Sequence, residues 1–259
     1  MSKQTPKILL AGGGTGGHLY PALAIADEIK KLAPGAKFLF IGTKDKLEAR
    51  VVPQRGYPFR TIWISGFHRR LTPSNVLFPL KVVVALVQSF FLIRRFQPDI
   101  AVGTGGYDCG PVLWMASLFG IPVVLHESNS YPGVTTRMLS GKATKVMTAF
   151  DATKQWLKRT ESVELVGTPT REALGTISKA AGVEFFKLDA RKKTVLVFGG
   201  SLGAASINNA VRGLLDEFSS NNVQLVWQTG QSDYDRVRAS VGEMKNVWLG
   251  AFIDNMEHA

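Results

Sequence analysis

Short apolar runs closed by glycine or a turn residue, each followed by a stretch of helical periodicity, recur along the whole chain. KILLAGG precedes PALAIADEIKKL, KFLFIG precedes KLEARVVPQRG, IAVGTGG precedes GPVLWMASLFG, and PVVLHES precedes GVTTRMLSG, with KVMTAF closing the series. Strands alternating with helices of this length build right-handed βαβ units, whose strands lie parallel in a sheet covered on both faces. The pattern restarts after VELVGTPTREAL with KTVLVFGGSLGAASINNAVRGLLDEF, VQLVWQTG and VWLGAF. The expected architecture is α/β, two doubly wound units over residues 1–165 and 166–259, with the glycine- and proline-bearing stretch GTPTR (Gly167–Arg171) as the joint.

A chain of 259 residues that is 45% hydrophobic can bury the cores such units need. Its single cysteine, Cys109, excludes an intramolecular disulfide and multi-cysteine zinc arrangements, and fits a reducing compartment. The opening MSKQTPKILL lacks an apolar core followed by a small-residue cleavage site, so secretion is not expected. The net charge of +11 is confined to residues 1–165, which hold 21 Lys and Arg against 10 Asp and Glu; residues 166–259 hold ten of each. A basic surface suits nucleic acid, anionic lipid or phosphorylated substrates. Without an arginine-rich arm, an RRM signature or zinc-finger spacing, nucleic acid is not the expected partner.

Residues 67–96 (FHRRLTPSNVLFPLKVVVALVQSFFLIRRF) break the alternation. Their uncharged run VVVALVQSFFLI has twelve residues, short of the roughly 20 that a bilayer span requires. One reading is a buried helix of the first unit. The other is a helix whose apolar face, flanked by Arg69, Arg70 and Lys81 on one side and Arg94 and Arg95 on the other, rests on anionic lipid.

Glycine-rich turns between a strand and a helix bring backbone N–H groups to an anion, most often phosphate. GGGTGGH (12–18) is not a Walker A loop, because no Gly-Lys-Ser/Thr follows. Gly12, Gly14 and Gly17 supply G-x-G-x-x-G spacing, but Thr43 and Lys44 stand where a ribose-binding acid belongs, so nicotinamide binding is not expected. VGTGGYDCGP and VFGGSLGAASIN add two more such loops. A tight turn explains any one of them. Three, at the carboxyl ends of parallel strands, point to several phosphates at a ligand crevice, with the Ser201 hydroxyl as a further donor.

Six stretches in order, GGTGGHLYPALAIA (13–26), GGYDCGP (105–111), PVVLHESN (122–129), GTPTR (167–171), GGSLGA (199–204) and FIDNM (252–256), resemble the successive motifs of the MurG family of bacterial glycosyltransferases. The resemblance implies a GT-B fold, two Rossmann-like domains facing a cleft, with no metal or cofactor. It implies inverting transfer of N-acetylglucosamine from UDP-N-acetylglucosamine to the muramyl sugar of undecaprenyl-diphosphate-linked muramyl pentapeptide (lipid I), for peptidoglycan synthesis. The protein would be peripheral at the cytoplasmic face of the cell membrane, touching an anionic surface through Leu80, Val83, Leu86, Arg94 and Arg95, with Trp114 nearby.

By the same resemblance the acceptor meets Gly14, Gly105, Gly106 and Tyr107. The donor meets Thr15, Gly16, Gly17, Asn129, Arg171, Ser201 and Ile253, the last through its backbone to uracil. His18 and Glu127 are the implied catalytic residues. A neutral imidazole takes the proton of an attacking sugar hydroxyl, or orients the acceptor; capping the helix or orienting the loop is the plainer alternative. Glu127 would orient the acceptor or the loops, and His126 is either at the crevice or a hydrogen-bonded structural residue. Arg171, Ser201 and loop amides would balance the charge on departing UDP.

The chain departs from the family pattern at Asp108-Cys109, usually Val-Ser, and at Thr168-Pro169-Thr170, usually Asn-Pro-Val. An aspartate in a loop facing a diphosphate is electrostatically adverse. The chain also stops about a hundred residues before the family's usual end, where a ribose-binding glutamate, a glutamine-containing donor loop, the last strands and the final helices are expected. Two alternatives therefore stand beside the transferase: a non-catalytic or partner-dependent protein that holds a lipid-linked acceptor at the membrane, and a nucleotide-sugar enzyme acting on a different acceptor.

Overall fold

β1 (Lys7–Ala11) and β2 (Lys37–Gly42) are buried at nearly every position, which only a sheet covered on both faces accepts. Leu9, Ala11, Leu39 and Ile41 point into one core, with Ala85, Ile93, Val112, Leu113 and Ala116. Ile8, Leu10, Phe38 and Phe40, one residue out of phase, point into a second core with Leu19, Ala22, Leu23 and Val52. The computed structural model describes residues 5–66, 77–170, 174–200 and 202–259. The chain divides into two compact units, Met1–Arg171 and Glu172–Ala259, at the end of the Gly167–Arg171 stretch.

The first unit adds β3 (Phe59–Thr61), β4 (Ile100–Gly103), β5 (Val123–Glu127), β6 (Lys145–Thr148) and β7 (Val163–Leu165). All neighbours are parallel, in the order β3-β2-β1-β4-β5-β6-β7. Helices α1 (Gly16–Leu32) and α2 (Leu47–Gln54) supply one core; α3 (Phe78–Phe96) and α4 (Cys109–Leu118) supply the other. The direction of winding reverses between β1 and β4, and ligands of such sheets bind at that switch, outside the carboxyl ends of the strands.

α1 begins at Gly16, five residues before the Pro21 start that periodicity predicts. Pro21 removes the one bond to the carbonyl of Gly17, close enough to the end of the helix to be tolerated. His18 therefore sits in the first turn of a helix, with its direction fixed, and not in the loop.

α3 buries Ala85, Ser89 and Ile93 in a single stripe, the Ser89 hydroxyl donating to the carbonyl of Ala85 at 2.7 Å. Its other side keeps Leu80, Val83, Val87 and Phe91 at 51–64% exposure. One face of the segment is thus the buried helix of the first reading, and the other is apolar and exposed from Leu77 onward; Arg69 and Arg70 lie outside the described residues. Among the described residues no helix is long and apolar enough to cross a membrane.

The second unit has three parallel strands, β8 (Lys193–Phe198), β9 (Val223–Gln228) and β10 (Val247–Gly250), in the order β10-β9-β8. α6 (Lys179–Phe185), α7 (Ala205–Arg212), α8 (Leu215–Ser220) and α9 (Tyr234–Val241) accompany them; α5 (Val134–Leu139) belongs to the first unit. The core is Val211, Leu215, Leu225, Trp227, Val237 and Val241. The helical stretch after β8 is broken between α7 and α8 at Gly213, the weakest helix former there.

Candidate active site

The chain leaves β1 at Ala11 and β4 at Gly103, at the switch point, and both glycine segments begin there. The segments are laced together. Thr104 N donates to the carbonyl of Ala11 at 3.1 Å, and Thr104 Oγ1 donates to the carbonyl of His18 at 2.7 Å. His18 Nδ1 donates back to the carbonyl of Thr104 at 3.0 Å. A carbonyl oxygen can only accept, so the proton of the neutral ring is on Nδ1 and the lone pair is on Nε2. The ring is half-buried and caps no amide of α1, where Thr15 holds the N-cap position. At Gly105, φ is 104° and a Cβ would lie 2.5 Å from His18 Nδ1, so glycine is required for the histidine to reach Thr104.

Two helices start at this crevice, α1 at Gly16 and α4 at Cys109, and their first amides have no intrahelical acceptor. The buried Cys109 sulfur is 2.7 Å from the carbonyl oxygen of Ala11 and 2.9 Å from that of Gly105. Burial, then the Asp108 charge, raises its pKa well above the ordinary thiol value, so Cys109 is a structural donor and not a nucleophile. The Tyr107 ring packs half-buried beside Gly14 and Gly66, its hydroxyl pKa raised by burial.

At the end of β5, Glu127 is 2% exposed. Its Oε1 accepts from Asn129 N (3.1 Å) and Asn129 Nδ2 (2.7 Å), its Oε2 from Gly133 N (3.0 Å) and Thr136 Oγ1 (2.7 Å). Both oxygens are occupied by four donors, so the carboxylate shapes the 128–136 segment; of the two roles expected of Glu127, orienting the acceptor or the loops, these bonds are of the second kind. Asn129 is exposed, oriented by that carboxylate. His126 is buried and donates through Nε2 to the carbonyl of Gly167 at 2.9 Å, its pKa lowered by burial. It is the hydrogen-bonded structural residue of the two readings.

In the second unit Gln228, which sequence reasoning passed over, links the two segments placed near the nucleotide. Its Nε2 donates to the carbonyl of Gly200 at 2.7 Å, and its Oε1 accepts from Ile253 N at 3.4 Å. The Ile253 side chain is buried with Phe186 and Val226. Asn208, also missed, is buried; it donates to the carbonyl of Thr229 and to Asp233 Oδ2, both at 2.8 Å, and accepts from Trp227 Nε1. Gln228 ends β9 and Asn208 lies within α7, and neither position carries a distinguishing signal in the sequence. Ser201 and Arg171 lie outside the described residues.

A parallel sheet with glycine loops at its switch point, followed by a second parallel unit with a glycine loop after its first strand, is the arrangement of the GT-B fold. The family model of the Glycosyltransferase family 28 N-terminal domain matches residues 8–148, and that of the family's C-terminal domain matches residues 194–259. The chain belongs to glycosyltransferase family 28, among its UDP-N-acetylglucosamine--N-acetylmuramyl-(pentapeptide) pyrophosphoryl-undecaprenol N-acetylglucosamine transferases. It is 43% identical over 253 residues to the transferase of that name from Flavobacterium psychrophilum, covering 97% of this chain and 68% of that one. The Salinibacter ruber transferase of the same name is 43% identical over 260 residues, covering 100% and 70%. The crystal structure of Acinetobacter baumannii MurG matches with a TM-score of 0.64 and 26% identity, over 98% of this chain and 68% of that one.

Proposed function

We propose that this chain moves N-acetylglucosamine from UDP-N-acetylglucosamine to a hydroxyl of the muramyl sugar of lipid I, giving lipid II for peptidoglycan synthesis. The observation that carries the proposal is the His18 ring, tied by Nδ1 to Thr104 with the Nε2 lone pair unused by that bond, between the starts of α1 and α4. Nε2 takes the proton of the acceptor hydroxyl as its oxygen bonds to the anomeric carbon. The bond from that carbon to the diphosphate breaks, and UDP departs with the electron pair. One displacement inverts the anomeric configuration.

Amides of Gly105 and Gly106, with Tyr107 as a wall, receive the acceptor's diphosphate at the two helix starts, while Gly14, whose own amide is bound to Glu48, shapes the loop beside them. The 199–204 loop, Ser201 and Arg171 balance the charge on UDP, with Thr15, Gly16, Gly17, Asn129 and the Ile253 backbone completing the donor contacts. The relatives' names support both substrates. The structure of Neisseria meningitidis UDP-GlcNAc 2-epimerase bound to UDP-GlcNAc, at 12% identity and a TM-score of 0.67, supports only the fold.

The deciding experiment is transfer of radiolabelled N-acetylglucosamine to a lipid I analogue in EDTA. Product formation supports the reading and metal independence. Analogue bound without product would favour an acceptor-holding protein that needs a partner, and transfer only to another lipid or small-molecule acceptor would refute the lipid I assignment.

Membrane contact falls to the exposed side of α3. Leu80 and Val83 are on it; Leu86 is half-buried, and Val87 and Phe91 extend the stripe in its place. Phe119 joins through Phe90, ring centroids 5.3 Å apart, while Trp114 packs on the core under Lys142. Arg94 and Arg95 close the helix. At about 1 kcal/mol per cation near an anionic leaflet, Arg94→Ala with Arg95→Ala should weaken binding to anionic vesicles by about thirtyfold. Unchanged sedimentation with vesicles would exclude this face.

A further inference from the structure

Two carboxyl groups are buried behind the glycine segments. Glu48 of α2 is fully engaged: Oε1 accepts from Thr43 N (3.1 Å) and Thr43 Oγ1 (2.6 Å), and Oε2 accepts from Gly14 N (2.9 Å). A Cβ on Gly13 would meet that carboxylate at 2.5–2.9 Å, so glycine there lets the loop close onto Glu48. Glu48 thus pins the β1–α1 loop to the end of β2.

Asp108 has no such partners. It is fully buried, and neither of its carboxyl oxygens is hydrogen-bonded. A Cβ built on Gly106 would lie 2.5 Å from Asp108 Oδ1 and 2.8 Å from the carbonyl oxygen of Gly13, so the aspartate sits where the two glycine segments meet. An unpaired buried carboxylate is costly, and two carboxyls sharing a site do not both ionise readily.

Nearby backbone N–H groups of Asp108, Gly13 and Cys109 favour the Asp108 charge, but by less than burial and Glu48 disfavour it. Glu48, from α2, repels its charge. Tyr107 and Cys109, its chain neighbours, are held neutral by burial, and the charge of Glu127, from β5, reaches Cys109 and disfavours a thiolate there. His18, from α1, lies against Gly105 and points its Nδ1 proton at Thr104. Burial first, then Glu48, pushes the Asp108 carboxyl up to about 7.

We propose that Asp108 and Glu48 are a positioning pair for the acceptor diphosphate: Glu48 as the anion holds the Gly14 loop in shape, and Asp108 admits the diphosphate only while it carries a proton. This rests on the reading that the diphosphate is received by the amides of Gly105 and Gly106, beside the Gly14 loop that Glu48 holds. The sign follows from charge. Below neutrality the crevice holds one buried negative charge, already compensated by the Thr43 and Gly14 donors. Above it a second, only weakly compensated one lies behind the amides that must meet a dianion. A site competent only with Asp108 protonated loses affinity in proportion to the protonated fraction, about thirtyfold between pH 6 and pH 8.5.

The test is calorimetric binding of a short-chain lipid I analogue to the 259-residue chain at pH 6, 7 and 8.5, for wild type, Asp108→Asn and Glu48→Gln. A diphosphate diester stays ionised throughout, so the titration belongs to the protein. Wild type should weaken with pH as stated, and Asp108→Asn should keep its pH 6 affinity; any His18 contribution survives in that variant and is thereby separated. Glu48→Gln should move the wild-type midpoint to lower pH, because it removes the charge that keeps Asp108 protonated, a shift that a purely structural glutamate would not produce. Infrared difference spectra should show a protonated-carboxyl band lost as pH rises in wild type and missing in Asp108→Asn. A wild-type affinity independent of pH, or a slope shared by Asp108→Asn, overturns the positioning pair and leaves the acceptor site standing. Absence of binding by folded wild type and Asp108→Asn at every pH overturns the acceptor site itself.

Discussion

His18→Ala is expected to lower kcat for transfer by roughly 10²–10⁴-fold, the range for removing a positioned general base. The fold should survive it, since the ring makes one hydrogen bond, to the carbonyl of Thr104, and such a bond is worth about 1 kcal/mol. The reciprocal bond, from Thr104 Oγ1 to the His18 carbonyl, uses the backbone and persists in the variant. His18→Gln separates chemistry from positioning. Its amide can donate to Thr104 as Nδ1 does, but nothing on it takes a proton at neutral pH. A glutamine variant as slow as alanine, with normal acceptor binding, identifies His18 as the base. Recovery of most of the rate would make the histidine a latch between α1 and the β4 loop.

What the sequence makes legible here depends on how deeply an element is buried. β1, β2, β4 and β5 read as continuous apolar runs because both sheet faces are covered. β3 and β7 pass unnoticed, since each is a three-residue edge strand with a charged middle residue, Arg60 or Glu164, and partly exposed neighbours. The start of α1 is misjudged because glycines and Pro21 argue against a helix, whereas the tie from His18 to Thr104 and the packing of Leu19 hold one there. At the site, the glycine loops and His18 stand out by type and spacing. Glu48, Asn208 and Gln228 do not, because a buried polar side chain is distinguished by its partners, 5 to 34 residues away, and not by its neighbours in the chain. Asp108 is conspicuous only as a residue that should not be there, and its burial without partners turns that oddity into a chemical property.

Glu127→Ala should destabilise the first unit by about 2–4 kcal/mol, the cost of leaving donors that met a buried carboxylate without their acceptor. The carboxylate is the common acceptor of four donors within nine residues, two of them from Asn129 and one each from Gly133 and Thr136. Alanine leaves the Gly133 amide and the buried Thr136 hydroxyl facing a cavity that water must enter or that must stay unsatisfied. For a domain of this size that corresponds to a fall in Tm of about 10 °C. Glu127→Gln keeps the volume and one accepting oxygen, which can still serve Asn129, but turns an NH2 group toward the Gly133 amide; the Thr136 hydroxyl can rotate to accept. Its loss should be about 1–2 kcal/mol, one mismatched pair. Calorimetry on the three proteins checks the order, and an alanine variant as stable as wild type would show that the four bonds do not persist in solution. Activity should fall in step with the disorder of residues 128–136 more than with charge, so Glu127→Gln should retain most of the transfer that Glu127→Ala loses. The reverse result would place the carboxylate's charge in the reaction itself.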